Sequence, residues 1–314
     1  MRVGCGIKLQ PTFSLTNGGK ATMSQTLSLC CILAAGVFWG ISPLFIRQFS
    51  AAGFSPEQMV FTRFFFASLF LAGWLAAKKP MALRFRLVDI WCFAGTGIVS
   101  TMLFSYCYFR TMETANIALA ALLLYTSPIF VLFFSVLLFR ERMTRRKLLA
   151  VACTFAGCAA ITGILTHGVP VVAWPVILIG LGAGLFYSLY TIFGKYALRR
   201  YASVTVAVHT FIFATIGTAF LIPIPETFAL YANPANLLTG LGIALFCSLT
   251  PFVLYTKGLE KLSPAKAAVL ATIEPVVATL IGIAAFHEPA DAATFAGVAL
   301  IIGATVLLSG EDAS

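Results

Sequence analysis

Charge is what this sequence has least of. Asp, Glu, Lys and Arg make up 10% of its residues, against roughly a quarter in an ordinary soluble domain. A chain so poor in charge cannot dress a water-exposed globular surface. Catalytic signatures are missing too: there is no HExxH, no GxSxG elbow and no glycine-rich phosphate loop, so the enzyme classes built on them are excluded. No loop is long enough to fold as a soluble domain. The eight cysteines show no CxxC spacing. Most of them (Cys30, Cys31, Cys92, Cys107, Cys153, Cys158, Cys247) sit inside apolar runs, where they read as small core hydrophobes and not as metal ligands or disulfides.

What is present is apolar. Hydrophobic residues account for 60% of the chain and the mean hydropathy is +0.96. Runs long enough to cross a bilayer core, which takes about 20 residues, recur between short charged loops. The sequence divides into ten spans, at 27-47, 57-77, 88-109, 115-139, 147-165, 173-195, 203-224, 236-256, 266-286 and 292-309. Gly163 and the His167-Gly168-Val169-Pro170 cluster split the long uncharged stretch from Leu148 to Gly194 into two. The expected fold is an all-α integral membrane protein.

Orientation follows from the basic residues. With the N-terminus in the cytoplasm, the inner loops receive Lys78, Lys79, Arg84, Arg86, Arg140, Arg142, Arg145, Arg146, Lys147, Lys195, Arg199, Arg200, Lys257, Lys261 and Lys266. Arg47, Arg63 and Arg110 lie toward the outside. Both termini are then cytoplasmic. The net charge of +10 is accounted for by this bias and by anionic lipid headgroups. Basic residues scattered over separate loops argue against nucleic-acid binding.

Residues 1-26 are expected to form a flexible tail, with a misplaced start codon or a cleaved signal peptide as other readings of its first part. A short tail is expected at 310-314. Internal repetition argues against cleavage, because the first span has a partner. "GVFWGISPLFIRQF" from Gly36 aligns with "GLFYSLYTIFGKYA" from Gly184, pairing Trp39 with Tyr187 and Arg47 with Lys195. Tyr108-x-Arg110-x-x-Glu113 is echoed by Tyr255-x-Lys257-x-x-Glu260, and Phe139-Arg140-Glu141 by Phe286-His287-Glu288. The repeats are 27-165 and 173-309. Five spans each, an odd number, predict that the second copy enters the membrane from the opposite face, as in transporters with alternating access. The competing reading is a duplicated scaffold with no transport role.

Arg63 early in span two ("FTRFFFASLFLAG"), Pro128 and Pro275 in spans four and nine, and the terminal "FRE" or "FHEP" before a glycine-bearing last span together resemble the EamA-type branch of the drug/metabolite transporter superfamily. The resemblance covers residues 27 to 309 and is specific for the fold, weak for the substrate. It implies export of amino acids, other metabolites or drugs, mostly across the bacterial inner membrane, through a central cavity between the repeats. No cofactor and no metal are expected.

Within "ATIEPVVATLIG" (Ala271 to Gly282), Glu274 falls about 12 Å from the cytoplasmic end of its span at about 1.5 Å per residue. A carboxylate facing lipid there costs about 2.5 to 3.5 kcal/mol, so Glu274 is expected to face the bundle interior or a wet cavity. Pro275 lacks an N–H and frees the carbonyl of Ala271; Pro128 does the same for Leu124. The repeat partner of Glu274 is Ser127, so one half alone carries the acid. Glu274 is expected to bind a substrate ammonium or to carry a coupling proton; the bland alternative is a structural carboxylate hydrogen-bonded to a neighbouring helix. Arg63 is open between snorkelling and a cavity role. His209 reads as a packing histidine. Trp39, Tyr125, Tyr187 and Tyr190 can line a cavity and stack on a cation, in a site built by spans one, four, six and nine. Gly36-x-x-x-Gly40 and Gly180-x-x-x-Gly184 are expected seams for close helix packing.

The expected activity is secondary transport, as export of a small amino acid or amine-bearing metabolite. A drug-like cation, a nucleotide sugar or an organic phosphate carried on the same fold are the alternatives; a phosphate would need buried Lys or Arg, for which Lys195 and Lys257 are the candidates. A channel should show rings of like residues or a repeated filter loop, and neither is visible. An intramembrane enzyme lacks a nucleophile with a base beside it. Monomer and homodimer both remain open.

Overall fold

The structure, a computed structural model, describes residues 24–168 and 170–310; most of the expected N-terminal tail and the last four residues lie outside the described residues. It is helical throughout, with no strand among the described residues. Ten long helices follow one another. They are α1 (Gln25–Ala51), α2 (Pro56–Lys78), α3 (Leu87–Thr114), α4 (Ile117–Phe139), α5 (Arg145–Ile161), α6 (Trp174–Ala197), α7 (Ser203–Ala219), α8 (Pro234–Leu259), α9 (Pro264–Phe286) and α10 (Ala292–Ser309).

Eight of these are individually long and apolar enough to cross a bilayer, and α7 with the short helical stretch that follows it makes a ninth. α5, at 17 residues, opens with Arg145, Arg146 and Lys147. The expected seventh span ran to residue 224, but α7 ends at Ala219 and the chain bends by 114° into a segment ending at Ala232. Pro223 and Pro225 explain the bend, since proline supplies no N–H to continue a helix. Large side chains on the outside are apolar, as Phe133 (58% exposed), Leu137 (63%) and Val306 (64%) show. Hydrocarbon, not water, is the solvent that tolerates them.

Polar caps mark where the chain turns back. Ser24, Asn116, Thr144, Asn233, Ser263 and Asp291 each accept a backbone N–H from the first turn of the helix they open. Ser55 and Gln58 form a reciprocal capping box at the start of α2.

Several helices are broken inside the bundle. α1 breaks at Ile41, one residue after Gly40 and two before Pro43. α4 breaks at Tyr125 and Thr126, and α9 at Thr272. In both, the break falls two or three residues before the proline, and a threonine hydroxyl takes up a carbonyl: Thr126 Oγ1 donates to Leu123 (2.6 Å) and Thr272 Oγ1 to Val269 (2.5 Å). α3 and α8 instead widen into π-helical turns at Gly95–Met102 and Leu245–Leu249. Such turns mark a mid-helix distortion, frequent at functional sites.

The freed carbonyls face glycine backbone. A Cβ at Gly36 would lie 2.9 Å from the Ala271 oxygen, and one at Gly184 would lie 2.7 Å from the Leu123 oxygen and 3.3 Å from that of Leu124. α1 therefore packs directly on the break of α9, and α6 on the break of α4. Only glycine permits that approach.

Gly184→Ala should accordingly lower stability by about 1 to 3 kcal/mol, the usual cost of overpacking. Gly303→Ala in α10, where an added Cβ meets nothing within 4 Å, should leave it unchanged or slightly raised. Thermal unfolding in detergent measures both.

Candidate functional site

α9 restarts at Ile273 after its break, so Glu274 occupies the first turn of the second half-helix. There the free N–H groups of a helix N-terminus favour a negative charge. Its side chain is half-buried and turned into the bundle. The hydroxyl of Tyr187, on α6, donates toward Glu274 Oε2 at 3.5 Å, the outer limit of a hydrogen bond. Arg63, Tyr125 and Tyr108 lie within electrostatic reach of the same carboxylate. Among the described residues Glu274 is the one acid placed away from the ends of a long helix.

Arg63 does not snorkel. It lies about 10 Å along α2 by helical rise, yet its contacts on α8 lie about 20 Å from that helix's start. Its Nε donates to Ser248 Oγ at 2.7 Å and its Nη2 to the Cys247 carbonyl, both in the π-helical turn. The guanidinium also stands 5.2 Å from the centre of the Phe64 ring. Two helices that begin at the same end of the bundle are thereby tied at depth by a charged group.

The aromatic residues separate into two sets. Tyr187 contacts the carboxylate and rests on Phe104 with ring centres 5.1 Å apart, and Tyr125 lies within electrostatic reach of it. Tyr125 is half-buried and packs with Cys158 and Val276. Trp39 and Tyr190 are instead buried in the main apolar core. Trp39 lies against Phe252 (5.3 Å) and Tyr255 (5.5 Å), and the Tyr190 hydroxyl is engaged by Thr256 Oγ1 at 2.7 Å. The repeat pairing of Trp39 with Tyr187 therefore does not translate into matched surroundings. His209 is a packing residue: its Nδ1 meets the Thr205 carbonyl at 2.8 Å and its ring lies between Phe85 and Phe93. Pro128 and Pro275 are both buried just after the breaks.

Sequence reasoning missed Ser248 and the Cys247 carbonyl, which carry no repeat signature. It also passed over Tyr108, although the Tyr108/Tyr255 echo marked that residue. No group of three or more His, Cys, Asp or Glu able to hold a metal occurs among the described residues.

The EamA-like transporter family matches the chain twice, over residues 26–163 and 174–310. The chain belongs to the EamA-like transporter family. That places it in the drug/metabolite transporter superfamily, as a multi-pass membrane transporter of a small molecule and not an enzyme. An uncharacterized transporter of Archaeoglobus fulgidus is 27% identical over 88% of this chain and 94% of its own length. An uncharacterized inner membrane transporter of Salmonella typhimurium, YicL, is 21% identical over 88% of this chain and 93% of its length. A solved crystal structure shares the fold, with TM-score 0.76 and 18% identity over 90% of this chain and 96% of that one.

In this EamA-like chain, Arg63 and Glu274 should be energetically coupled. Arg63→Met removes two hydrogen bonds from a charged donor and should cost about 2 to 4 kcal/mol. Adding Glu274→Gln, which deletes the carboxylate within electrostatic reach of Arg63, should return part of that loss. A double-mutant cycle of unfolding in detergent gives the coupling.

Proposed function

We propose that this protein exports a small amino acid or amine-bearing metabolite across the plasma membrane by alternating access, with Glu274 shared between a substrate ammonium and a coupling proton. The observation that carries the reading is one half-buried carboxylate at the break of α9, facing tyrosines and not lipid. A proton and a cationic headgroup compete for one such site, and that competition couples the two. The same carboxylate and tyrosines suit a drug-like cation.

Organic phosphates and nucleotide sugars fit less well. Lys195 Nζ donates to the carbonyls of Leu259 (2.7 Å) and Leu262 (2.8 Å), and Lys257 pairs with Glu260. Neither cation is left to hold a phosphate, and Arg63 spends two of its donors on the π-helical turn of α8 beside an acid.

Opposed five-helix repeats account for the motion. Contacts between helix ends support them: Thr239 Oγ1 donates to Gln48 Oε1 and Gln58 Nε2 to Thr227 Oγ1 at one end of the bundle. Arg200 reaches Asp89, and Lys195 the end of α8, at the other. α1 thus ends with the first group and its partner α6 with the second. The basic residues put the α6 end in the cytoplasm, with both termini, and the relative named an inner membrane transporter supports a bacterial inner membrane.

Cells overexpressing the chain should release a metabolite that Glu274→Gln cells retain, with efflux lowered at least about tenfold, the scale of a 1.4 kcal/mol effect. Release that persists in Glu274→Gln with unchanged pH dependence removes the acid from the mechanism. Alkaline phosphatase fused at the C-terminus should be inactive, whereas a fluorescent protein there should glow; the reverse pattern overturns the orientation.

A further inference from the structure

The FRE and FHE segments, which neither the carboxylate site nor the glycine seams use, are built alike to the level of single dihedral angles. α4 ends at Phe139, Arg140 takes the left-handed conformation (φ 54°, ψ 32°), and the Glu141 N–H returns to the Ser135 carbonyl at 3.2 Å. α9 ends at Phe286, His287 is left-handed (φ 55°, ψ 34°), and the Glu288 N–H returns to Gly282 at 3.0 Å. This return, six residues back in both, fixes a carboxylate at the same place in each repeat. Beside each carboxylate runs the end of the other repeat's first helix, with a cation: Arg47 on α1 by Glu288, and Lys195 on α6 by Glu141.

The two pairs are not in the same state. Arg47 Nη2 is bonded to Glu288 Oε1, and its guanidinium lies 3.7 Å over the Phe286 ring. Lys195 is within electrostatic reach of Glu141 but spends its ammonium on the Leu259 and Leu262 carbonyls at the end of α8. Glu141 is held on one oxygen by Lys147, at 2.7 Å, in a pair more than nine-tenths buried. Its other oxygen, Oε2, is buried with no hydrogen-bond partner. A buried, unpaired carboxylate oxygen costs about 1 to 3 kcal/mol or more, and a lysine that could satisfy it is turned elsewhere.

We infer that Arg47–Glu288 and Lys195–Glu141 are alternating latches, one at each end of the bundle, of which the first is shut and the second open in this structure. The inference rests on the alternating-access reading above. When the bundle opens at the Arg47 end, Lys195 leaves the α8 carbonyls and closes on Glu141 Oε2. Arg47 then takes the place its partner vacates by symmetry, on the carbonyls of Met112 and Ala115 at the end of α3. The four side chains are positioning residues: they touch no cargo and set which end is open. The repeats differ in one respect. Lys147 has Thr294 as its counterpart, so Glu141 carries a resident cation that Glu288 lacks, and the second latch closes in competition with Lys147.

The test reads conformation and needs no substrate. Nitroxide pairs at Ser50 and Ala292 (one end) and at Met143 and Lys261 (the other), in a full-length chain with its native cysteines replaced, give distance distributions by pulsed electron resonance in lipid nanodiscs. Glu288→Gln should raise the population open at the Arg47 end about two- to fivefold, the worth of a half-exposed ion pair. Glu141→Gln, which can still accept from Lys147, should lower that population. Lys147→Thr, which copies the second repeat and frees Glu141 for Lys195, should raise it. The charge exchange Arg47→Glu with Glu288→Arg should restore the wild-type distribution. Two populations that none of the single changes moves, or that Glu141→Gln and Glu288→Gln move the same way, overturn the latches. One unvarying distance at both ends in every variant overturns the alternating motion itself, and the latches with it.

Discussion

Close contact between glycine backbone and a broken helix is the constraint from which the site follows. Lipid offers no partner for an exposed carbonyl, so the breaks in α4 and α9 survive only because α6 and α1 lie flush against them at Gly184 and Gly36. That contact draws the first helix of each repeat onto the fourth helix of the other. It also leaves the restarted half of α9 with its N-terminal end inside the bundle, where Glu274 can be charged at a tolerable cost.

Symmetry supplies the frame and its violation supplies the chemistry. The two repeats share capped helix ends, π-helical turns in α3 and α8, and the left-handed stops at Arg140 and His287. They part at Ser127 against Glu274, at Trp39 against Tyr187, and at Lys147 against Thr294. Trp39 fills the core beside Phe252 and Tyr255, whereas Tyr187 turns its hydroxyl to the carboxylate. One half of the molecule packs where the other half turns a hydroxyl to the acid. A perfectly symmetric bundle would hold an acid at both breaks or at neither.

Most of the fold was legible because lipid imposes simple rules. Ten apolar runs and polar residues where the chain turns follow from burial cost alone, and all ten observed helices lie close to the expected spans. The exception is the end of span seven, where Pro223 turned the chain sooner than the apolar run suggested. The candidate site was legible in part. Glu274 announced itself as a carboxylate in an apolar run beside proline, and Tyr187 as the aromatic partner of Trp39. Arg63 could not be decided, because a long stem near a helix end reaches either water or the interior, and its acceptors sit on a helix distant in sequence.

The sequence by itself determined that this chain lives in a bilayer, that it is made of two related halves, and that one half carries an acid the other lacks. Each of these depends only on which residue types occur and at what spacing. Tertiary structure decided which side chains meet: that Arg63 binds the π-helical turn of α8, that Trp39 and Tyr190 belong to the core, and that Glu288 has its cation while Glu141 Oε2 does not. Those outcomes turn on helix rotation and depth within the bundle. Packing among ten helices sets both, and no local run of residues encodes them.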